Sequence, residues 1–242
     1  MLLGLFFVAM EGIMIWLVMR SMGKATSALR CIQYSFVGFF YSGITPSATG
    51  GQPMQLFYMN RDGRKTSNST VTLMTVAVML CPGLIHKIGL YVICALSRWK
   101  IIRHYDETKM KWDLFVDGYG DAVLFLKNHK EILWELAGLT FLQRCSVFLV
   151  TYLVYRGFSL SGSGVFTIMA LQASIYIAVD MLPVPGSQGI TELMYQKVFS
   201  AIFPLSLLTP SMIVSRSVNF YLLLLISMII SGYRNIIRKI QK

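Results

Sequence analysis

The sequence predicts an all-α, polytopic integral membrane protein with about six to eight transmembrane or re-entrant helices. Of its 242 residues, 55% are hydrophobic and only 14% are charged, whereas soluble domains carry about 25% charged residues. Mean hydropathy is +0.60, and long apolar runs recur along the whole chain. A soluble globule of this length could not bury so much apolar surface, which argues strongly against a water-soluble enzyme.

The charge balance indicates contact with anionic lipid. Lys and Arg total 22 against 11 Asp and Glu, giving a formal net charge of +11. In a membrane protein, such an excess is typical of basic loops on the cytoplasmic side. The four cysteines form no CxxC pair and no cluster with histidine, so neither a disulfide framework nor a metal site is predicted. We expect no cofactor.

The predicted first half, 1–97, begins with an apolar run, 1–19, that contains one acid, Glu11. This run has the composition of a spanning helix that begins abruptly, so an upstream helix is expected to be missing. The next apolar run, 31–44, is short for a full crossing, and a second short piece covers 54–59.

Residues 69–97 complete this half and are long enough to cross, but Pro82-Gly83 interrupts them. If the basic residues 20–30 are cytoplasmic, then 31–59 and 69–97 are either two crossings or two re-entrant hairpins. The sequence leaves both arrangements open.

The basic segment 98–131 follows, and its interleaved lysines, arginines and tryptophans are typical of an amphipathic segment on the membrane surface. RNA binding is the alternative interpretation. The predicted second half, 132–242, contains four apolar segments: 132–155, 165–182, 190–208 and 212–232. An even number of crossings would place the basic C-terminal tail in the cytoplasm together with the basic segment. The whole chain is thus predicted to form a single membrane domain, with an inverted repeat as one open arrangement.

Two similar motifs interrupt the apolar pattern: ITPSATGGQP at 44–53 and LPVPGSQGITE at 182–192. Such breaks are tolerated in a bilayer only where protein or a wet cavity supplies hydrogen-bond partners. A helix that begins after a break directs free N–H groups and a positive dipole end into that cavity, which suits a phosphate. Paired breaks in two halves are a pointer to a transporter binding site, although an ordinary surface loop is the alternative for each. The candidate residues are Thr45, Pro46, Gly50, Gly51, Gln52, Pro183, Pro185, Gly186, Gly189 and Glu192.

Ionisable residues within apolar runs are the second set of candidates: Glu11, Asp180, Glu192 and Arg216, with Arg144 as a weaker one. A charge at mid-bilayer costs about 2.5–3.5 kcal/mol unless it is paired or hydrated. Glu192 is expected in the first turn of a helix, where a carboxylate is favoured with no further role. Arg216 is expected near the start of the last helix, and Glu11 is expected to pair with Arg216 or Arg144.

The segments GITPSATGGQPMQ (43–55) and 182–192 resemble the signatures of the lysylphosphatidylglycerol synthase transmembrane (flippase-like) family. This is the membrane half of the bacterial multiple peptide resistance factor. The family's second signature usually reads Pro-x-Pro-Gly-Gly-x-Gly-x-x-Glu, and this chain has Ser187-Gln188 in place of the second Gly and the variable residue. An Arg about two dozen residues after the Glu is typical, and Arg216 fits.

The resemblance implies a helical fold with re-entrant segments that moves aminoacylated phosphatidylglycerol between leaflets and thereby repels cationic peptides. It also implies a bacterial plasma membrane location. Full-length members carry a soluble lysyl-tRNA-dependent transferase domain. We expect this chain to lack it, so the resemblance does not imply transferase activity. We also expect the family's first helix to be absent from this chain.

The leading hypothesis is therefore a phospholipid flippase. The lipid phosphate would sit near helix starts after Pro53 and Gly189, with Thr45 and Gln52 as hydrogen-bond donors and Arg216 as a charged contact. Glu192 or Asp180 would meet a cationic headgroup or balance Arg216, and Glu11 and Arg144 are further charge-balancing candidates. The alternatives are a membrane subunit or remnant of a lysyltransferase or other lipid-linked transferase, and a passive assembly partner. No nucleic-acid partner is expected without the soluble domain, and a homo-oligomer stays open.

Overall fold

A computed structural model describes residues 1–24, 26–45, 50–65, 68–70, 72–73, 129–180 and 187–240. Every regular element in these ranges is helical: α1 (Leu2–Ser21), α2 (Ala28–Ile44), α3 (Gly51–Arg61), α4 (Lys130–Gly157), α5 (Val165–Asp180), α6 (Ile190–Phe199), α7 (Leu205–Arg216), a π-helical turn (Ser217–Tyr221) and α8 (Leu222–Ile240). Three described segments are long and apolar enough to cross a membrane: Leu2–Ser21, Lys130–Gly157 and Leu205–Ile236. The predicted all-α, polytopic membrane fold is confirmed. Residues 74–128, with Pro82-Gly83 and most of the basic segment 98–131, lie outside the described residues.

Helices α2 and α3 form a hairpin beside α1. The Ser27 side chain caps α2 by accepting a hydrogen bond from the Arg30 N–H at 3.3 Å, so the helix begins three residues before the predicted apolar run. Near the open end of the hairpin, the Tyr34 hydroxyl donates to Asp62 Oδ2 at 2.7 Å, which puts the chain break after Ile44 at the opposite end. Helix α3 begins at Gly51 rather than after Pro53, because proline is well suited to the first turn of a helix.

Helices α4, α5 and α6 repeat this order. Helix α5 runs antiparallel to α4, with Gln172 Oε1 accepting a hydrogen bond from the Thr151 hydroxyl at 2.9 Å. Helix α6 contacts α5 after the second break, and Tyr195 and Phe199 belong to the same buried cluster as Ile168. The hairpin helices have 16 and 10 residues in this unit, against 17 and 11 in the first.

The two units have opposite orientations. Helices α1 and α4 are antiparallel, because Gln143 Nε2 donates to Phe7 O at 2.8 Å while Leu136 packs beside Val18, near the other end of α1. Each hairpin starts from the C-terminal end of its long helix, so the two hairpins start from opposite ends of the bundle. The described helices therefore have the arrangement of an inverted repeat.

A long helical segment closes the fold, and here the predicted spans were wrong. Instead of spans at 190–208 and 212–232, α6 ends at Phe199, and a new helix begins at Leu205 and continues through α7, the π-helical turn and α8. Pro204 is the N-cap of α7 with extended backbone, and Pro210 lies inside the helix rather than before it. The missing Pro N–H costs least at a helix start, and neighbouring groups make proline tolerable inside membrane helices. This segment contacts both units, since α7 packs on α4 and α6, and α8 packs on α2.

Candidate functional site

A cavity of about 710 Å³ lies where the two chain breaks approach each other. The first break contributes Gly51 and Gln52 to its wall, and the second contributes Ser187 and Thr191. The other polar residues of the wall come from five helices and the π-helical turn: Glu11, Ser42, Gln55, Thr140, Gln143, Arg144, Arg216 and Asn219. The described residues thus bring both interrupted motifs to one hollow, lined by polar and apolar side chains, within an apolar bundle.

At the first break, Thr45 shapes the loop. Its hydroxyl donates to Tyr41 O at 2.6 Å and accepts from the Gly50 N–H at 2.9 Å. The hydroxyl hydrogen is therefore already donated to a backbone oxygen of α2. A Cβ on Gly51 would overlap the Ser42 hydroxyl and lie 2.8 Å from a backbone oxygen of α2. Only glycine therefore fits where α3 begins against α2. Pro46 lies outside the described residues, and Thr45 and Gly50 are not among the lining residues.

At the second break, two residues adopt left-handed backbone conformations: Ser187 with φ of 52° and Gly189 with φ of 79°. Ser187 stands where the family signature usually has glycine, which adopts this conformation without strain. Helix α6 begins at Ile190, directly after Gly189 as predicted, and the Thr191 hydroxyl donates to Ser187 O at 2.8 Å. Pro183, Pro185 and Gly186 lie outside the described residues, and Asp180 ends α5.

Arg216 and Glu192 form an ion pair beside the cavity. Arg216 Nε donates to Glu192 Oε1 at 2.9 Å, and the side chains are only 12% and 19% exposed. The Tyr221 hydroxyl lies 3.3 Å from the same oxygen, and the guanidinium stacks 4.8 Å from the Phe220 ring centre. Arg216 lines the cavity, whereas Glu192, in the first turn of α6, is not among the described lining residues. Of the roles considered for Glu192, the observed one is to balance Arg216.

Glu11 and Arg144 place a carboxyl group and a guanidinium group in the cavity wall, on α1 and α4. Glu11 Oε1 accepts a hydrogen bond from Gln55 Nε2 at 2.7 Å, and Gln55 is 3% exposed. The Arg144 guanidinium lies 5.9 Å from the Phe7 ring centre. Of the two partners expected for Glu11, Arg216 pairs with Glu192 instead, and Arg144 lines the same cavity as Glu11.

Sequence reasoning missed the uncharged amides of the site, Gln55, Gln143 and Asn219. Gln55 follows Gln52 by three residues, a spacing that puts both side chains on one helix face. Gln143 directly precedes Arg144 in an otherwise apolar segment. Weighing amides within apolar runs as heavily as charges would have found all three.

Comparison with known proteins identifies one family. A family model described as the lysylphosphatidylglycerol synthase TM region matches residues 1–100 and 70–227. No curated protein and no solved structure matches the chain. The matched residues include both interrupted motifs and every described residue that lines the cavity.

Proposed function

Because the chain belongs to the lysylphosphatidylglycerol synthase TM family, we propose that it binds phospholipid headgroups in the cavity between its two hairpins and moves aminoacylated phosphatidylglycerol between leaflets. The observation that carries this proposal is the shared cavity, to which Gly51 and Gln52 contribute from one break and Ser187 and Thr191 from the other. Its volume lies within the range of about 300–1,000 Å³ that is usual for small-molecule sites.

The charges of the cavity suit a headgroup that carries both signs. Lysylphosphatidylglycerol has an anionic phosphate and cationic amines. Arg144 and the free N–H groups at the starts of α3 and α6 favour the phosphate, and Glu11 favours an amine. Arg216 adds a second cation, which is paired with Glu192.

The proposed location is a bacterial plasma membrane, with the α1–α2 turn and the C-terminus in the cytoplasm. Two long helical segments, α4 and α7–α8, lie between residue 129 and the C-terminal tail. An even number of crossings puts the tail on the same side of the membrane as residue 129. The contact of Asp62 with Arg234 brings the end of α8 close to the α1–α2 turn, which Arg20 and Arg30 flank. In this orientation the positive charges lie inside, and outward movement of lysyl-lipid would reduce the negative surface charge that attracts cationic peptides.

Vesicles that contain the purified chain and lysylphosphatidylglycerol test the proposal. A membrane-impermeant amine reagent measures how fast labelled lipid exchanges between leaflets, and headgroup-tagged phosphatidylglycerol is followed in parallel. Glu11→Gln keeps an acceptor for Gln55 but removes the charge. We expect it to reduce the ratio of lysyl-lipid to phosphatidylglycerol transport by about tenfold, since hydrogen bonds to charged groups contribute about 1.5–3 kcal/mol.

Two arginines of α4 provide the matched control. Arg144→Gln should slow transport of both lipids, whereas Arg156→Gln, at the exposed end of the same helix and outside the cavity, should leave it unchanged. Equal transport by wild type, Glu11→Gln and Arg144→Gln would refute the proposal. Lysyl-lipid synthesis from charged tRNA by the purified chain would instead favour the transferase alternative.

A further inference from the structure

A second pocket, of about 560 Å³, lies at the base of the first hairpin, and we call it the basal pocket. Trp16, Arg20 and Lys24 line it from the end of α1 and the turn that follows, Thr26, Ser27 and Arg30 from the start of α2, and Arg64 from the turn after α3. It shares no described lining residue with the cavity between the hairpins.

The basal pocket gathers positive charge without a matching acid. Four of its seven lining residues are cationic, and no carboxylate is among the described lining residues. The first N–H groups of α2 have no acceptor within their own helix, so the helix start adds partial positive charge. Four like charges around one hollow repel one another, which favours occupation by an anion.

Two polar atoms of the pocket residues are buried and lack partners among the described residues: the Thr26 hydroxyl and Arg64 Nε. A buried donor without a partner costs about 1–3 kcal/mol. The guanidinium and ammonium groups that line the pocket offer several further donors, which suits an anion with several oxygens, such as a phosphate group.

The surroundings favour a lipid phosphate over a free one. Trp16 lies at the end of the α1 span, its ring 5.1 Å below the Arg20 guanidinium, and tryptophan is enriched at the membrane–water interface. Leu29 is 74% exposed in the first turn of α2, which places an apolar side chain beside a cationic hollow. We propose that the basal pocket holds the phosphate of an anionic phospholipid that stays bound and is not carried between leaflets.

Thermal unfolding of the full chain in dodecyl maltoside micelles tests this proposal. Phosphatidylglycerol should raise the melting temperature in a saturable way that weakens with added NaCl, and phosphatidylcholine with the same acyl chains should not. The double variant Arg30→Gln/Arg64→Gln should weaken the apparent affinity for phosphatidylglycerol at least about tenfold, since it removes two charge-assisted contacts. Arg156→Gln, at an exposed position that lines neither pocket, should retain this stabilisation.

Any of the following outcomes would overturn the proposal. Equal stabilisation by phosphatidylcholine, or an affinity insensitive to salt, would exclude a charged headgroup site. A wild-type affinity in the double variant, with loss in Arg144→Gln, would assign the lipid to the cavity instead. The same shift with inorganic phosphate alone would show a free-phosphate site. If the double variant does not fold, Thr26→Val tests the same pocket, and unchanged affinity there would count against it. None of these results depends on lipid transport.

Discussion

Replacing Gly12 by alanine should push α1 away from α2, because the two helices meet there without space for a side chain. An ideal Cβ at Gly12 would lie 2.7 Å from the Ile32 backbone nitrogen and 2.8 Å from Ile32 Cγ1. Favourable carbon contacts lie at about 3.5–4.0 Å, so the helices must separate by about 1 Å. Backbone atoms cannot rotate out of the way as a side chain can, and the neighbouring Glu11 would move away from Gln55.

Two opposing terms determine the size of the effect. Overpacking costs about 1–3 kcal/mol, and alanine recovers up to about 1 kcal/mol of helix propensity relative to glycine. We therefore expect Gly12→Ala to reduce the free energy of unfolding by about 1–2 kcal/mol. Gly138, inside α4, has no described atom within 4 Å of an ideal Cβ. Gly138→Ala should therefore stabilise by up to about 1 kcal/mol.

Titration of each variant from detergent micelles into sodium dodecyl sulfate, followed by circular dichroism, measures this difference. Both variants make the same chemical change in the interior of a long helix, so the propensity gain cancels and their difference of about 1–3 kcal/mol isolates the close contact. A Gly12→Ala protein as stable as Gly138→Ala would refute the inferred approach of α1 and α2.

Three further substitutions test other parts of the structure. Asp62→Asn should lower the free energy of unfolding by about 2 kcal/mol, because it leaves the mostly buried Arg234 without its counter-charge; adding Arg234→Gln should restore part of the loss. Thr151→Val removes a buried hydroxyl with two hydrogen-bond partners and should cost about 1–2 kcal/mol in the same titration, whereas Thr151→Ser should cost less. Glu192→Gln should abolish lipid transport in vesicles because it removes the carboxylate charge that pairs with Arg216, and membrane insertion measured by carbonate extraction should be unaffected.

Local signals in the sequence were sufficient to predict where the second hairpin turns. Pro, Gly and small residues in 182–189 cannot continue a helix, and Gly189 does adopt the left-handed conformation that precedes α6. The same reasoning found Glu192 in the first helical turn and offered Arg216 as its counter-charge. The break and the position of Glu192 depend on neighbouring residues, and the pairing with Arg216 follows from the high cost of a lone charge in an apolar run. Both kinds of signal can be judged from the sequence.

Other features depend on contacts between distant residues, which a single sequence does not encode locally. The hydrogen bond between Gln55 and Glu11 joins positions 44 residues apart and requires the close packing of α2 between α1 and α3. The turn at 200–204 was missed because Ala, Ile and Phe keep the hydropathy high there, so that only Pro204 marks the new helix.

The ion pair of Arg216 and Glu192 links these local and distant features in one electrostatic argument. Arg216 stands 11 residues after Leu205 in a helical segment of 32 residues, about 16 Å along its axis and thus far from either end. An unpaired charge at that depth is costly, and the ion pair with Glu192 lowers this cost. A phosphate that approached Arg216 would compete with Glu192 and leave that carboxylate in need of a cation. An aminoacylated headgroup brings a cation with its phosphate, whereas phosphatidylglycerol does not. Under the proposed function, the pair thus gives a physical reason for the protein to prefer the aminoacylated lipid.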